Sequence, residues 1–149
     1  MYNSVYKGCI IWYNVPMKTL IVGLLFLGVA GQVSAQEYTF NSKASIEDYI
    51  WSRAVYYNYN PKRAVEIAKA ESELAINAQN ASSTASGLFQ FINGTYEWYC
   101  VKGFNLADSM ASKNDPFVQI ECAVRMLADG GESHWDESRH VWEKRSILY

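Results

Sequence analysis

Twice in this chain an Asx-Pro pair stands directly before a run whose apolar residues recur at helical spacing: Asn60-Pro61 and Asp115-Pro116. The Asx side chain can accept from an N–H that a helix start leaves unpaired, and proline at the first helical position gives up an N–H that the first turn does not use. After the first pair, Ala64, Ile67, Ala68, Leu74 and Ala75 fall on one face at about 100° per residue. After the second, Phe117, Ile120, Ala123, Val124 and Leu127 make a stripe that Gly130-Gly131 ends. Ser45, with Asp48 three residues on, predicts a loose capping box for an earlier helix with Ile46, Tyr49, Ile50 and Tyr57 on one side. Asn93-Gly94-Thr95 reads as a turn, with Thr95 capping a helix through Trp98. The segment from His134 to Trp142 predicts a last helical piece closing over the others. There is no strand-rich region, repeat or low-complexity linker. The expected fold is a mainly helical domain of about five or six helices, with little or no sheet and room for a small irregular or hairpin section in the loop region.

The first 35 residues contain Lys7 and Lys18 and no acidic residue, whereas every acid lies at or beyond Glu37. From Met17 the text reads as an export signal: one lysine, an apolar run from Leu20 to about Ala30, then the small-residue pattern Val33-Ser34-Ala35. Roughly a dozen apolar residues fall short of the about 20 needed to span a bilayer, so no permanent membrane anchor is expected. No cysteine follows at a lipid-attachment position. Residues 1–16, with the isolated Cys9, do not fit an ordinary leader and are read as an upstream mis-start. Residues 17–35 are read as a signal peptide, and residues 36–149 as one compact domain, periplasmic or secreted.

Without the two leader lysines the acidic balance deepens, so there is no electrostatic footprint for nucleic acid. Cys100 and Cys122 remain; an even count in an exported chain suits a disulfide, and two separate buried thiols are the alternative. Neither these cysteines nor the distant His134 and His140 have metal-ligand spacing, and no metal or cofactor is expected.

Glu71 falls within the apolar face that starts at Ala64. A carboxylate there is disfavoured unless it is paired, hydrogen-bonded or held neutral. It could pair with a cation such as Arg53 or Arg125, or reach solvent at the end of its helix. Alternatively it lines a cleft whose apolar setting raises its pKa, which suits a general acid for glycosidic cleavage.

Glu71-Ser72, a polar loop and then Gly87-Leu88-Phe89-Gln90 together resemble the soluble lytic transglycosylase family. Its signature is Glu-Ser followed about a score of residues later by Gly-Leu-Met-Gln, and goose-type lysozymes share its lysozyme-like fold. The resemblance covers roughly Pro61 to Leu127. It implies that Glu71 is the catalytic acid and base, that Ser72 supports the helix end at the substrate site, and that Gln90 lines the sugar cleft. It also implies that Gly87 allows close backbone approach and that Asn80 lies near the N-acetyl contact, although the spacing to Gln90 is one residue longer here. Leu88 and Phe89 are expected beneath the cleft. The implied substrate is the peptidoglycan glycan strand, and the implied product a 1,6-anhydro-muramyl sugar; a secretion or cell-wall machine remains open as a partner.

The family's late Tyr-Asn-x-Gly segment, whose tyrosine hydrogen-bonds near the glutamate, is missing. Trp135, Ser138, His140 and Trp142 are the tail residues available to the cleft, with ordinary packing as their other role. Asp108, Glu97 and Glu73 are candidates for a second carboxylate. The rival readings are a goose-type muramidase, a catalytically silent wall-binding protein and a plain structural helical protein.

Overall fold

A computed structural model describes residues 39–147. Cys9, the expected start at Met17, the signal peptide 17–35 and the cleavage point after Ala35 lie outside the described residues. Among the described residues five α-helices follow in order: α1 (Lys43–Tyr56), α2 (Pro61–Ser72), α3 (Asn93–Tyr96), α4 (Pro116–Ala128) and α5 (Arg139–Ile147). Helix α3 runs on into a π-helical turn, Glu97–Gly103, while 3-10 segments Met110–Asn114 and Gly131–Ser138 lead into α4 and α5. Among the described residues there are only isolated antiparallel bridges, Gln79 with Ser86 and Ser86 with Phe91. The domain is therefore mainly helical, as expected of a lysozyme-like fold. No helix among the described residues is long and apolar enough to cross a membrane.

Both Asx-Pro starts form as the local chemistry requires. Asn60 accepts from the Arg63 N–H, and Asp115 accepts from the N–H groups of Phe117 and Val118. Helix α4 is the centre of the domain. Ile120, Ala123, Val124 and Leu127 are buried on the expected stripe, but Gln119, Cys122 and Met126 are buried on another side, so α4 is enclosed almost all round. Helix α1 packs on α2 and α4, and α5 on α2. Fully burying side chains such as Ile50, Ile67 and Ile120 contributes about 1.5–3 kcal/mol each. Cys100, in the π-helical turn, is joined to Cys122 of α4 by a disulfide that fastens this turn to the central helix.

Local chemistry moves three of the expected boundaries. The cap of α1 is Ser42, not Ser45: Ser42 Oγ accepts from the Ser45 N–H, and Ser45 Oγ accepts from the Ser42 N–H, so the two serines form the box themselves. Thr95 caps nothing, because α3 has already begun at Asn93 after Ile92 and has no side-chain cap. The apolar face of α2 stops earlier than its spacing suggests. Glu73 and Leu74 both take positive φ, 53° and 64°, which breaks the helix after Ser72 and leaves Ala75 exposed. The left-handed region costs a non-glycine residue roughly 1–2 kcal/mol; burial of Leu74, only 3% exposed, offsets it. Glu71 consequently stands in the last turn of α2.

Candidate active site

A cleft of about 870 Å³ opens beside that last turn. Ala70 and Glu71 of α2 form one wall, and Asn80, Ser82, Ser83 and Ala85 of the polar loop another. Phe89, Gln90, Phe91 and Ile92 make the floor and rim. The 3-10 segment with the start of α5 closes the far side through Trp135, Asp136, Glu137, Ser138 and His140.

The walls are held from behind by polar groups that the fold satisfies. Ser72 Oγ donates to the Leu88 carbonyl at 2.8 Å, tying the end of α2 to the 87–92 segment. The wholly buried Gln119 does the same from α4: its amide donates to the carbonyls of Ser86 (3.1 Å) and Lys113 (2.6 Å), and its oxygen accepts from the Phe89 N–H (3.1 Å). Lys113, also buried, donates to the Thr84 carbonyl and to Asn93 Oδ1. Burial lowers the pKa of its ammonium. On the far side the Trp135 indole N–H donates to the Phe89 carbonyl at 2.9 Å, and the Trp142 indole N–H donates to the Trp135 carbonyl at 3.0 Å. Two tryptophans thus pin the 3-10 segment to the cleft floor.

Glu71 is half-buried and meets no cation among the groups that act on its charge. Of the two cations considered, Arg53 is bound to Glu121, and the Arg125 guanidinium lies over the Phe104 ring at 4.2 Å. Instead, Ser138 Oγ donates to Glu71 Oε1 at 2.6 Å. Burial pushes the Glu71 carboxyl above the ordinary glutamate range. The Ser138 hydrogen bond pulls against that shift and the nearby Glu137 charge adds to it.

Of the residues singled out in the sequence, Glu71, Asn80 and Gln90 line the cleft together. Asn80 is exposed, and its Oδ1 accepts from the Ser82 N–H. Gln90 takes a left-handed φ of 49°, and its amide donates to the Gly87 carbonyl at 2.9 Å. Ser72 and Gly87 lie behind the lining. Gly87 has φ 78°, and a Cβ there would come within 1.9 Å of the Gln119 amide, so the close approach it allows is that of Gln119. Leu88 and Phe89 are buried, with Phe89 in the floor. In the tail, Trp135, Ser138 and His140 reach the cleft, whereas Trp142 is wholly buried as packing.

The three candidates for a second carboxylate do not stand beside Glu71 in the cleft lining. Glu73 is the exposed residue after α2, Glu97 pairs with Lys102, and Asp108 is exposed outside the cleft. Asp136 and Glu137 take that place. Gln119 was not singled out, and Ser138, named as available to the cleft, was not expected to bond Glu71. The signal for Gln119 was its place in a helix apolar on several sides; the Ser138 contact spans 67 positions and has no local signal.

A family model described as "Transglycosylase SLT domain" matches residues 48–139. The match runs from within α1 to the first residue of α5 and takes in Glu71, Asn80, Gln90 and Ser138. No curated protein and no solved structure matches the chain.

Proposed function

The chain belongs to the transglycosylase SLT domain family, and on that premise we propose that it is a peptidoglycan lytic transglycosylase with Glu71 as its acid and base. One observation carries the reading: a half-buried carboxylate in the cleft has a hydroxyl and a like charge for company and no cation. Such a group holds its proton at higher pH than an ordinary glutamate and can donate it. Glu71 gives that proton to the oxygen linking N-acetylmuramic acid to N-acetylglucosamine, and the bond from the muramyl anomeric carbon to that oxygen breaks. The muramyl acetamido oxygen supports the anomeric carbon meanwhile. The ionised Glu71 then takes the proton of the same sugar's 6-hydroxyl, whose oxygen closes the 1,6-anhydro ring. Asn80 and Gln90 contact the glycan on the side facing Glu71, and exposed Ile92 at the rim offers it an apolar edge. A substrate of this kind lies outside the cytoplasm. The reading therefore includes residues 17–35 as an export signal and a periplasmic or secreted mature protein beginning at Gln36.

Hydrolysis is the second reading, favoured by Asp136 and Glu137 in the same cleft, either of which could activate water. The test is mass spectrometry of soluble products from peptidoglycan incubated with the purified protein and with Glu71→Gln. Anhydro-muropeptides from the wild type alone support the transglycosylase, and products one water heavier move the assignment to a muramidase. Retained glycan binding with no product leaves a wall-binding protein. N-terminal mass measurement of exported protein checks the leader; an N-terminus upstream of Gln36 would overturn it.

A further inference from the structure

We propose that Ser138 is a two-way hydrogen-bond partner of Glu71, donating to the carboxylate when it is ionised and accepting from it when it is protonated. The proposal rests on the reading of Glu71 as acid and base, since only a group that cycles between both forms needs such a partner.

The geometry comes from two contacts of one hydroxyl. Ser138 Oγ lies 2.6 Å from Glu71 Oε1 and 3.2 Å from the carbonyl oxygen of Trp135. A serine hydroxyl has one proton to donate and lone pairs to accept with. Facing ionised Glu71, it donates to Oε1, the shorter contact, where the acceptor is charged and the bond stronger. Facing neutral Glu71, the carboxyl O–H donates to Oγ, and the serine proton turns to the Trp135 carbonyl. That carbonyl also accepts the Trp142 indole N–H, and the serine hydroxyl already lies within hydrogen-bond reach of it. No atom need move further than a hydroxyl rotation. The Trp135 carbonyl is itself held, because the Trp135 indole is fastened to Phe89 and Trp142 is wholly buried. Both orientations of the hydroxyl therefore have a fixed acceptor.

A cationic partner would do less. It would stabilise only the ionised form and drag the carboxyl towards an ordinary or lower pKa, removing the acid. A neutral hydroxyl costs the acid less and still satisfies the base. The other titratable groups around the cleft are His134, Asp136 and Glu137 from the 3-10 segment and His140 from α5. The polar loop and the 87–92 segment contribute neutral side chains, and Lys69 on the helix of Glu71 is engaged with Glu47 and Glu66. All of these stay in place when Ser138 alone is changed.

The experiment is a carbon-13 NMR titration of glutamate side-chain carboxyls in the full-length protein. The Glu71 signal is assigned by its loss in Glu71→Gln, and the wild type is compared with Ser138→Ala and Ser138→Thr. In Ser138→Ala the ionised form loses its donor, so the Glu71 midpoint moves to higher pH and the high-pH fall in activity moves with it, while kcat drops about tenfold. Ser138→Thr keeps the hydroxyl and restores both midpoint and rate. A midpoint unmoved or lowered in Ser138→Ala, or a Thr variant that behaves like Ala, would overturn the proposal. The titration needs no substrate. A wild type that cuts no peptidoglycan yet shows these shifts defeats the transglycosylase reading and leaves the hydrogen-bond pair standing.

Discussion

Glu121 and Glu71 are carboxylates of the same domain at partly buried positions, each accepting from one hydroxyl, but the charges around them differ. Glu121 takes two hydrogen bonds from the Arg53 guanidinium and a third from the Tyr57 hydroxyl. Glu132 is treated alike: burial alone would raise its pKa, but hydrogen bonds from Tyr59 and Arg63 outweigh that and hold the carboxyl below the usual range. Glu71 has one serine hydroxyl and a repelling neighbour, Glu137, and its pKa goes the other way. A carboxylate whose charge is neutralised and saturated with donors supports the fold. On the proposed reading, one left short of donors is kept for chemistry, at some cost to stability.

The largest effect that can break this comparison is on activity. Glu71→Gln keeps the shape and still accepts from Ser138, but has no proton to give; turnover of peptidoglycan should fall by about 10²- to 10⁴-fold. The same variant should be more stable than the wild type at neutral pH. A carboxyl whose folded pKa is raised weakens folding as pH climbs from its unfolded to its folded value, and the penalty is complete above both. Thermal melts of the two proteins should therefore converge in acid and separate at neutral pH. A Glu71→Gln protein that melts lower at every pH would place Glu71 with Glu121 as a structural group.

Changes on the scaffold side should do the reverse. Replacing both Cys100 and Cys122 by alanine opens a loop with a sequence separation of 22 residues and should cost about 3 kcal/mol, read from denaturant unfolding. Arg53→Met should cost about 2 kcal/mol, because Glu121 and Arg53 have side-chain exposures of only 15% and 16% and the carboxylate loses its two guanidinium hydrogen bonds. In both, kcat per folded molecule should stay within about threefold of the wild type, since neither change touches the cleft. A larger loss of kcat in Arg53→Met would mean that the α1–α4 ion pair sets the cleft as well as the fold.

What could be read from the sequence follows from the range of the forces involved. The Asn60-Pro61 and Asp115-Pro116 starts were legible because capping and proline geometry act within a few residues. The odd position of Glu71 was legible because helical spacing alone shows it. The end of α2 was not: the left-handed pair Glu73 and Leu74 is held by burial of Leu74, which only the assembled core supplies. Gln119 drew no reading, because its burial depends on α4 being enclosed almost all round. The ion-pair reading of Glu71 stayed open with Arg53 and Arg125 as its cations, since spacing does not rank partners on different helices; Arg53 pairs with Glu121 instead. Ser138 reaches Glu71 only because Trp135 and Trp142 fasten the 3-10 segment across the cleft.

The smallest expected effect gives the sharpest test of the electrostatic account, because its sign is fixed in advance. Glu137 adds a like charge near Glu71, a weaker influence than burial. Glu137→Gln removes it, so ionisation of Glu71 becomes easier and its pKa falls. The activity lost as pH rises should then be lost at lower pH than in the wild type. Removing the Ser138 hydroxyl should displace the same limb upward. Two substitutions at adjacent positions would thus move one titration in opposite directions, which general loosening of the segment cannot do. Raising the salt concentration should shrink the Glu137→Gln displacement, because charge repulsion at an exposed residue is screened. The Ser138→Ala displacement comes from a direct hydrogen bond and should persist. If both displacements shared a sign, Glu71 would be responding to the packing of the 3-10 segment and not to charge and hydrogen bonding.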